Sequence, residues 1–558
     1  MPSLMGSLYI GVSGLQTSQN ALNTTAHNMT NADTKGYVRQ QVQLGTRFYN
    51  TIAVTPRAVS NQQLGLGVEY SKVKQIRDYF LDQTYRTESG RQAFYEVSST
   101  TLEEVENLLD ELTGESFQLS LENLWTAVQE CSKDPDSVVT QGLLVQRSAQ
   151  FLERAQLVYQ GLVDYQDNMN NQISGRIDTI NKYAKQILAL NESIIKIEAG
   201  KQEEANDLRD ERNRILDELG SMAKISYAED ILGNVSVQIE GVDLVKGEVA
   251  YEIGLYEDKN TGFYTPFWVQ NATYTINDRG EKEYNIDGAE VFNLNTVISS
   301  DLNTDIGSVK SMLLARGDHH ADYRDLAEDK YDYSVSQSVI MNVQAEFDQL
   351  IHNVCTTINE VFAQAAEAAT AKNPDSTYLR DSQGRPIQFF QKIGSEGYTK
   401  DAATGEWVYN EEDPDDYRST YSVANMQMNA ELLQSPGMLG LKQIDDSIDY
   451  DIMEVLKDKF MEESNVLNPN VKKKTNFVDY YGDLVAQVAN SGKVYKSILS
   501  NQEATVNATF TAREQVIGVS TDDELTYMVK FQNAYNASSR YINAINEMLA
   551  HIINTLAV

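Results

Sequence analysis

Residues 7–44, SLYIGVSGLQTSQNALNTTAHNMTNADTKGYVRQQVQL, decide how the rest of the chain is organised. Within them Leu8, Val12, Leu15, Gln19, Leu22, Ala26 and Met29 recur at alternating steps of four and three, the a/d repeat of a helix with a narrow apolar seam. Such a seam needs a partner. Leu525 to Leu556 supplies one: Leu525, Met528, Tyr535, Ile542, Leu549, Ile553 and Leu556 fall on one heptad seam, and Phe531, Ala534, Tyr541, Ile545, Met548 and Ile552 on a second beside it. Together the two seams span roughly 160° of helix surface, more than one thin helix covers. The C-terminal helix is therefore expected to face the N-terminal helix and also neighbouring subunits; the plainer alternative is an intramolecular coiled coil with nothing else attached.

The polar residues of these ends are mostly Asn, Gln, Ser and Thr. Residues 1–50 carry only Asp33 against Lys35, Arg39 and Arg47, although the chain as a whole has a formal charge of -35. Identical subunits that stack would repel through like charges, whereas amides and hydroxyls can be buried once hydrogen-bonded. The ends suit self-assembly, and the acidity lies elsewhere.

Three stretches then carry a resemblance. Ser13-Gly14-Leu15, the run from Ala26 to Tyr37 (AHNMTNADTKGY) and the run from Phe531 to Arg540 (FQNAYNASSR) look like the terminal signatures of flagellar axial proteins, the rod, hook and hook-associated subunits. Within that group the islands Leu64 to Glu69 (LGLGVE), Ala205 to Arg212 (ANDLRDER) and Gly518 to Glu524 (GVSTDDE) resemble the hook-associated subunits at the junction of hook and filament. The resemblance implies a non-enzymatic structural subunit without cofactor or metal. It implies secretion through the flagellar type III exporter by an uncleaved N-terminus, and assembly into a ring at the distal end of the hook. The implied partners are further copies of the chain, hook protein, the second junction protein and an export chaperone on the C-terminal helix.

A chain of 558 residues divides into several domains and buries substantial cores. Cys131 and Cys355 each sit in an apolar helical pattern and read as buried free thiols. No run is long and apolar enough to cross a bilayer, and the first six residues lack the basic start and apolar region of a cleaved signal. Strong acidity argues against nucleic acid and anionic membrane surfaces as partners.

Taken in order, Gln40 to Val73 reads as an extended connector, including Thr51 to Thr55. Helical spacing follows from Gln92 to Leu112, continues from Phe117 to Val128 after a break at Thr113-Gly114, and runs from Ser137 to Gly200 along Val158, Leu162, Ile173, Ile180 and Ile187. Pro56, Pro135, Pro266, Pro374, Pro386, Pro414, Pro436 and Pro469 punctuate the chain, with long helices between them. The mixed charges of Asn206 to Leu219 read as solvated pairs on a helix. Around Ile225 the period changes to two, through Val235, Val237 and Ile239 to the aromatic strands at Tyr264, Phe267, Trp268 and Tyr274. Helices return at Ile306 to Leu314, Val335 to Phe362 and Phe477 to Arg513, and the acidic stretch between Pro374 and Pro469 reads as a solvent-facing insertion.

The expected architecture is mainly α with inserted β regions, nested. Residues 1–45 plus 518–558 form the innermost terminal coiled coil. A helical rod of 46–225, 304–366 and 471–517 surrounds it, with outward insertions at 226–303 and 367–470. The expected assembly residues are Leu8, Val12, Leu15, Leu22 and Met29 with Tyr535, Ile542, Ile545, Leu549 and Ile552.

Signatures of zinc proteases, phosphate-binding loops and nucleophile elbows are missing from the sequence. Asp318-His319-His320 with Asp322 is the best candidate for a metal, but adjacent residues do not converge on one ion. The run Glu411 to Asp416 lacks EF-hand spacing and reads as solvated. Two alternatives stand beside the junction reading: another axial subunit such as hook protein, or a secreted surface adhesin using Tyr264, Phe267, Trp268 and Trp407, which would then have to be exposed.

Overall fold

The computed structural model describes residues 4–47, 50–54, 61–110, 116–200, 203–277, 279–280, 282–327, 331–373, 376–402, 405–442 and 447–556. Pro56, Pro374, Thr55, Leu112 and the Thr113-Gly114 break lie outside them.

Helix α1 (Leu4–Thr30) leads through a turn to strand β1 (Gln40–Thr46), which pairs antiparallel with β4 (Val68–Gln75); β2 (Asn50–Val54) and β3 (Asn61–Leu64) form a second hairpin between them. The body is a stack of long helices: α2 (Tyr79–Asp110), α3 (Phe117–Lys133), α4 (Val138–Glu198) and α5 (Asn206–Met222). Ser116 caps α3 by accepting from the Leu119 N–H, and Pro135 sits in the turn that sends the chain into α4. The 61 residues of α4 bury a single face, from Leu144 and Phe151 through Leu162, Ile173 and Ile180 to Ile194. This is the seam legible in the sequence.

Strands β5 (Ile225–Glu229), β6 (Val235–Ile239), β7 (Val242–Lys246) and β8 (Val249–Ala250) make one antiparallel sheet in sequential order. Two hairpins follow, β9 (Ile253–Glu257) with β10 (Tyr264–Trp268), and β11 (Thr273–Ile276) with β12 (Lys282–Asn285). Val235, Val237 and Ile239 point to the core in strict alternation, as period two requires. The chain re-enters the helical stack with α6 (Ser308–Arg316) and α7 (Val339–Lys372).

Residues 376–470 depart from the expected solvent-facing insertion. They hold the short strand pairs β13 (Phe390–Lys392) with β16 (Met426–Met428) and β14 (Tyr398–Lys400) with β15 (Trp407–Tyr409), then α8 (Ala430–Gln434) and α9 (Asp451–Met461). Ile387, Phe389, Phe390, Leu432, Leu456 and Phe460 are fully buried in the same core as α3, α4 and α7. Phe460 packs against Trp125 and Phe477. Acidic composition concealed this because the acids decorate a surface whose apolar residues are spread over short, aperiodic segments. Even the acidic run is partly tied down: Tyr323 donates to Glu412, and Arg324 to the Pro414 carbonyl. The last helices, α10 (Phe477–Ile517) and α11 (Thr521–Leu556), return to the start of the chain, α10 along α2 and α11 along α1.

The body's interior carries more than apolar packing. Arg513 of α10 is buried between Asp82 of α2 and Asp217 of α5, each at 2.8 Å, and Arg86 of α2 shares Asp217 at 2.7 Å. On α7, Glu346 and Asp348 are fully buried. Glu346 accepts from the amides of Asn342, Asn468 and Gln487, and burial pushes its carboxyl up to about 7. Both cysteines are buried and free, the reading their apolar surroundings predicted, and burial raises both thiols.

Candidate assembly interface

Helices α1 and α11 pack antiparallel, but not through the seam that the spacing in α1 suggests. The side of α1 toward α11 is lined with small residues. A Cβ on Gly11 would lie 2.7 Å from Ile542 Cγ1, and one on Gly14 would lie 2.7 Å from Ser538 Oγ. Ser18, Ala21, Thr25 and Asn28 continue this face at helical spacing and are buried. A side chain at 11 would have to displace Ile542 and one at 14 the Ser538 hydroxyl, so glycine at both positions lets α11 pack closely on this face. The next face of α1 is covered by the β1–β4 hairpin, where Gly67 (φ 95°) reaches Ile10 and Ser13. Hydroxyls buried there satisfy themselves on their own helix: Ser13 donates to the Ile10 carbonyl at 2.8 Å and Thr17 to the Ser13 carbonyl at 2.7 Å.

The expected assembly residues are thus divided by the fold. On α11, Tyr535, Ile542 and Leu549 are half-buried and Ile545 is buried, on one inner seam with Met528, Phe531 and Ser538. That seam takes members from both of the seams read in the sequence. It is the side that meets α1, so these four residues are used within the subunit. Leu8, Leu15, Leu22 and Met29 are half-buried, and Val12 and Ile552 are exposed. The expectation that the a/d stripe of α1 faces α11 is corrected: the stripe is turned aside because the glycine-lined face allows a closer backbone approach.

Of the remaining apolar residues some form two stripes, while Met5, Tyr9, Leu525, Val529 and Ile553 are exposed elsewhere on the pair. At 100° per residue, Leu8, Leu15 and Leu22 lie roughly a quarter turn from the side of α1 that meets α11. Tyr541, Met548 and Ile552, all exposed, lie roughly a quarter turn from the inner seam of α11. Because the helices run antiparallel, these stripes emerge on opposite flanks of the pair.

A set of residues missed in the sequence reading fixes this pair to the body. The Asn28 side chain ends α1 as a template for the chain that follows: its Oδ1 accepts from the Tyr37 hydroxyl at 2.8 Å and the Gln40 N–H at 3.0 Å, and its Nδ2 donates to the Gln40 carbonyl at 2.8 Å. Gly36 (φ 86°) permits the turn between them. Arg39 donates its N–H to the Ile517 carbonyl and its Nε to buried Glu524, at 2.9 and 2.8 Å, which joins β1 to the start of α11.

Helix α5 supplies the other anchor. The Asp210 carboxylate accepts from the Val38 N–H at 3.1 Å and the Gln75 amide at 2.8 Å, with Arg77 at 3.6 Å. Burial raises its pKa to about 7 against the opposing pull of those donors and Arg77. Asp207 accepts from the Gln40 amide. From the other side of the same helix Arg209 pairs with Glu198 and Glu229, and Arg212 donates to the Gly233 carbonyl and the Asn191 side chain. The reading of this island as solvated pairs is corrected, since Asp210 and Arg212 are buried. The spacing of Asp207 and Asp210 on one face was the signal; their partners, more than 130 residues away, were not legible.

The other candidates of the sequence resolve differently. His319 lies between Asp318 at 2.6 Å and Asp325 at 3.1 Å, which hold it protonated up to about pH 10 against the effect of its burial. His320 turns instead to Asp167 and packs edge-on against Phe263. Among the described residues, His, Cys, Asp and Glu nowhere gather in threes that could hold a metal ion, and no helix is long and apolar enough to cross a membrane. Phe267 and Trp268 are buried, and Tyr264 and Trp407 are half-buried. The adhesin alternative required these aromatics to be exposed.

Comparison with known proteins places both ends and the body together. Residues 8–37 match the flagella basal body rod protein family, 516–555 the C-terminal family of flagellar basal body rod FlgEFG proteins, and 102–373 the helical domain of flagellar hook-associated protein FlgK. Flagellar hook-associated protein 1 of Bacillus subtilis is 24% identical over 567 aligned positions, covering 99% of both chains. The protein of the same name from Salmonella typhimurium is 23% identical, covering 97% of this chain and 98% of its own. The fold is also that of the flagellar hook junction protein FlgK from Burkholderia pseudomallei, with a TM-score of 0.52 at 12% identity, over 78% of this chain and 100% of that one. With rod-type signatures at both ends, the hook-associated helical body between them and relatives aligned from end to end, the chain reads throughout as a hook-associated protein of the bacterial flagellum.

Proposed function

We propose that copies of this chain join head to tail in a ring at the distal end of the hook, with the α11 flank of one copy on the α1 flank of the next. The observation that carries this reading is the pair of apolar stripes on opposite flanks of one helical pair. A self-complementary dimer needs one patch meeting itself, whereas two different patches on opposite sides generate a ring or helix. Tyr541, Met548 and Ile552 of one copy then cover Leu8, Val12, Leu15 and Leu22 of its neighbour. The role is structural and non-enzymatic, and the chain divides into a terminal coiled coil, a helical body and two inserted regions.

In this reading the ends order fully only on assembly, so the cost of ordering is met when neighbours cover them. The subunit leaves the cell through the flagellar type III exporter. Hook protein lies on one side of the ring and the second junction protein on the other, and an export chaperone covers the exposed residues of α11 beforehand. Support comes from the exposure of those residues in the single chain and from the low charge of residues 1–50.

The test is deletion of the gene, with isolated flagellar bases viewed by electron microscopy and the medium assayed for filament protein. Complete hooks without filaments, and filament protein in the medium, are expected. Stunted hooks would instead identify a rod or hook subunit, and intact filaments would overturn the axial role.

A further inference from the structure

The terminal unit, made of α1, α11 and the strands β1 to β4, is attached to the body without sharing its apolar core. Among the described residues, the core formed by α3, α4 and α7 takes no side chain from before Val97 or after Tyr495. The chain crosses between unit and body twice, from β4 into α2 through Ile76 and from α10 into α11 through Ile517. Arg39 ties the two crossings together: its N–H donates to the Ile517 carbonyl at 2.9 Å, and its carbonyl accepts from the Ile76 N–H at 3.2 Å. Val38, fully buried beside it, donates its N–H to Asp210 of α5 at 3.1 Å.

Asp210 is therefore the group of the body on which both crossings converge. Its other carboxylate oxygen accepts from the Gln75 amide at 2.8 Å, with Arg77 at 3.6 Å. That guanidinium is shared, since Asp82 of α2 holds it at 3.0 Å and also holds Arg513 of α10 at 2.8 Å. Asp207, one turn back on α5, and Tyr37, just before β1, lie within electrostatic reach of the same carboxylate. While the unit is seated, burial outweighs the two donors and the shared cation and raises the Asp210 carboxyl to about 7. Swung free, the carboxylate regains water and an ordinary value of about 3.9. The proton is bound more tightly in the seated form.

We propose that Asp210 is a proton-operated latch: with its carboxyl protonated the terminal unit stays seated on α5, and loss of the proton lets the unit swing away from the body about Ile76 and Ile517. By linkage, the seating it provides is fully present below about 3.9 and is lost as pH rises through about 7, by up to about tenfold per pH unit between those limits. The ends of a free chain are thus held in mildly acid medium and loosened in mildly alkaline medium. Polar contacts suit such a joint, because water replaces them at little cost when it opens. The latch needs only the single chain and is independent of the ring.

The experiment is hydrogen exchange of the full chain, read by mass spectrometry between pH 5 and 8 and corrected for intrinsic rates. Residues 36–40 report the latch, because the Val38 N–H is released when the unit swings out. Protection there is expected to fall by up to about tenfold per unit toward pH 7 and to level off above it. These residues are also expected to exchange faster than α4 throughout, since the joint opens without the body. Asp210→Asn has no proton to lose and is expected to flatten the fall. Gln75→Leu removes a donor to the carboxylate, so its fall is expected at higher pH; this variant decides where Asp210→Asn does not fold. Equal slopes in wild type and Asp210→Asn, a fall left in place by Gln75→Leu, or protection that rises with pH would each overturn the latch. Exchange at residues 36–40 as slow as in α4 would overturn the swing.

Discussion

The terminal pair and the body are both built from long helices, yet they bury different things. In the body, Phe117 packs against Phe151, Phe347 and Tyr481 with ring centres 4.7–5.4 Å apart, and α4 has its apolar seam turned inward along its length. In the terminal pair, α1 brings glycine, serine, alanine and threonine to the contact against Tyr535, Ile542, Ile545 and Leu549 of α11, while Leu8, Leu15 and Leu22 stay half-buried and Tyr541, Met548 and Ile552 exposed. Apolar burial drives folding at about 25 cal/mol per Å². The body therefore completes its core alone, whereas the ends leave apolar surface open, which the proposed assembly would cover. The difference teaches that an apolar stripe in a sequence identifies a contact without saying whether that contact lies within the chain.

The strongest way to break the comparison is to attack the body. Phe347→Ala is expected to cost the isolated chain about 3–5 kcal/mol in urea unfolding, because the ring is fully buried against those of Phe117 and Tyr481. A cost no greater than that of a surface substitution would mean that the body, like the ends, awaits a partner.

Next comes pH. The folded chain holds Glu346 up to about 7, above the value of about 4.3 for an exposed glutamate, so the native state binds the extra proton. Its contribution to stability is fully present below the unfolded pKa and is lost as pH rises through about 7. Between those limits the loss is about 1.4 kcal/mol per pH unit. Tyr331 and Tyr480 face the same carboxylate and stay neutral throughout, since burial raises both. Glu346→Gln is expected to flatten this part of the stability profile relative to wild type; parallel profiles would show the carboxylate to be ionised at neutral pH.

A smaller and local effect separates the two regions. Gly11→Val forces α1 away from Ile542, an overpacking cost of about 1–3 kcal/mol. Amide hydrogen exchange should quicken in α1 and α11 and stay unchanged in α4. Faster exchange throughout would mean that the ends and body unfold as one unit.

The smallest effect on the isolated chain is the most telling for function. Leu15→Ser lies on the open flank of α1, where the side chain is half-buried, and is expected to lower monomer stability by only about 1 kcal/mol, while abolishing retention of filaments on hooks. A large loss of monomer stability would place Leu15 in an intramolecular contact instead.

Local periodicity made much of this legible. The seam of α4, the alternation of β6, the helices flanking Pro135 and the low charge of the N-terminal helix all follow from patterns within a few residues, because a helix or strand sorts its own side chains by geometry. The burial of residues 376–470 did not follow, because its apolar residues lie on short segments with no sustained period. The polar anchors were hidden for another reason. Asp210 reads as one more surface acid until Val38 and Gln75 are brought to it across more than 130 residues.

The sequence by itself determined that the two ends are long, apolar-striped helices, the first of them without Asp, Glu, Lys or Arg, around a mainly α body, since composition and spacing are properties of the chain alone. Only the tertiary structure decided which stripe is spent inside the subunit and which is left on its surface. That choice depends on how closely two backbones approach at Gly11 and Gly14, a distance set by the packing of both helices and of the hairpin beside them.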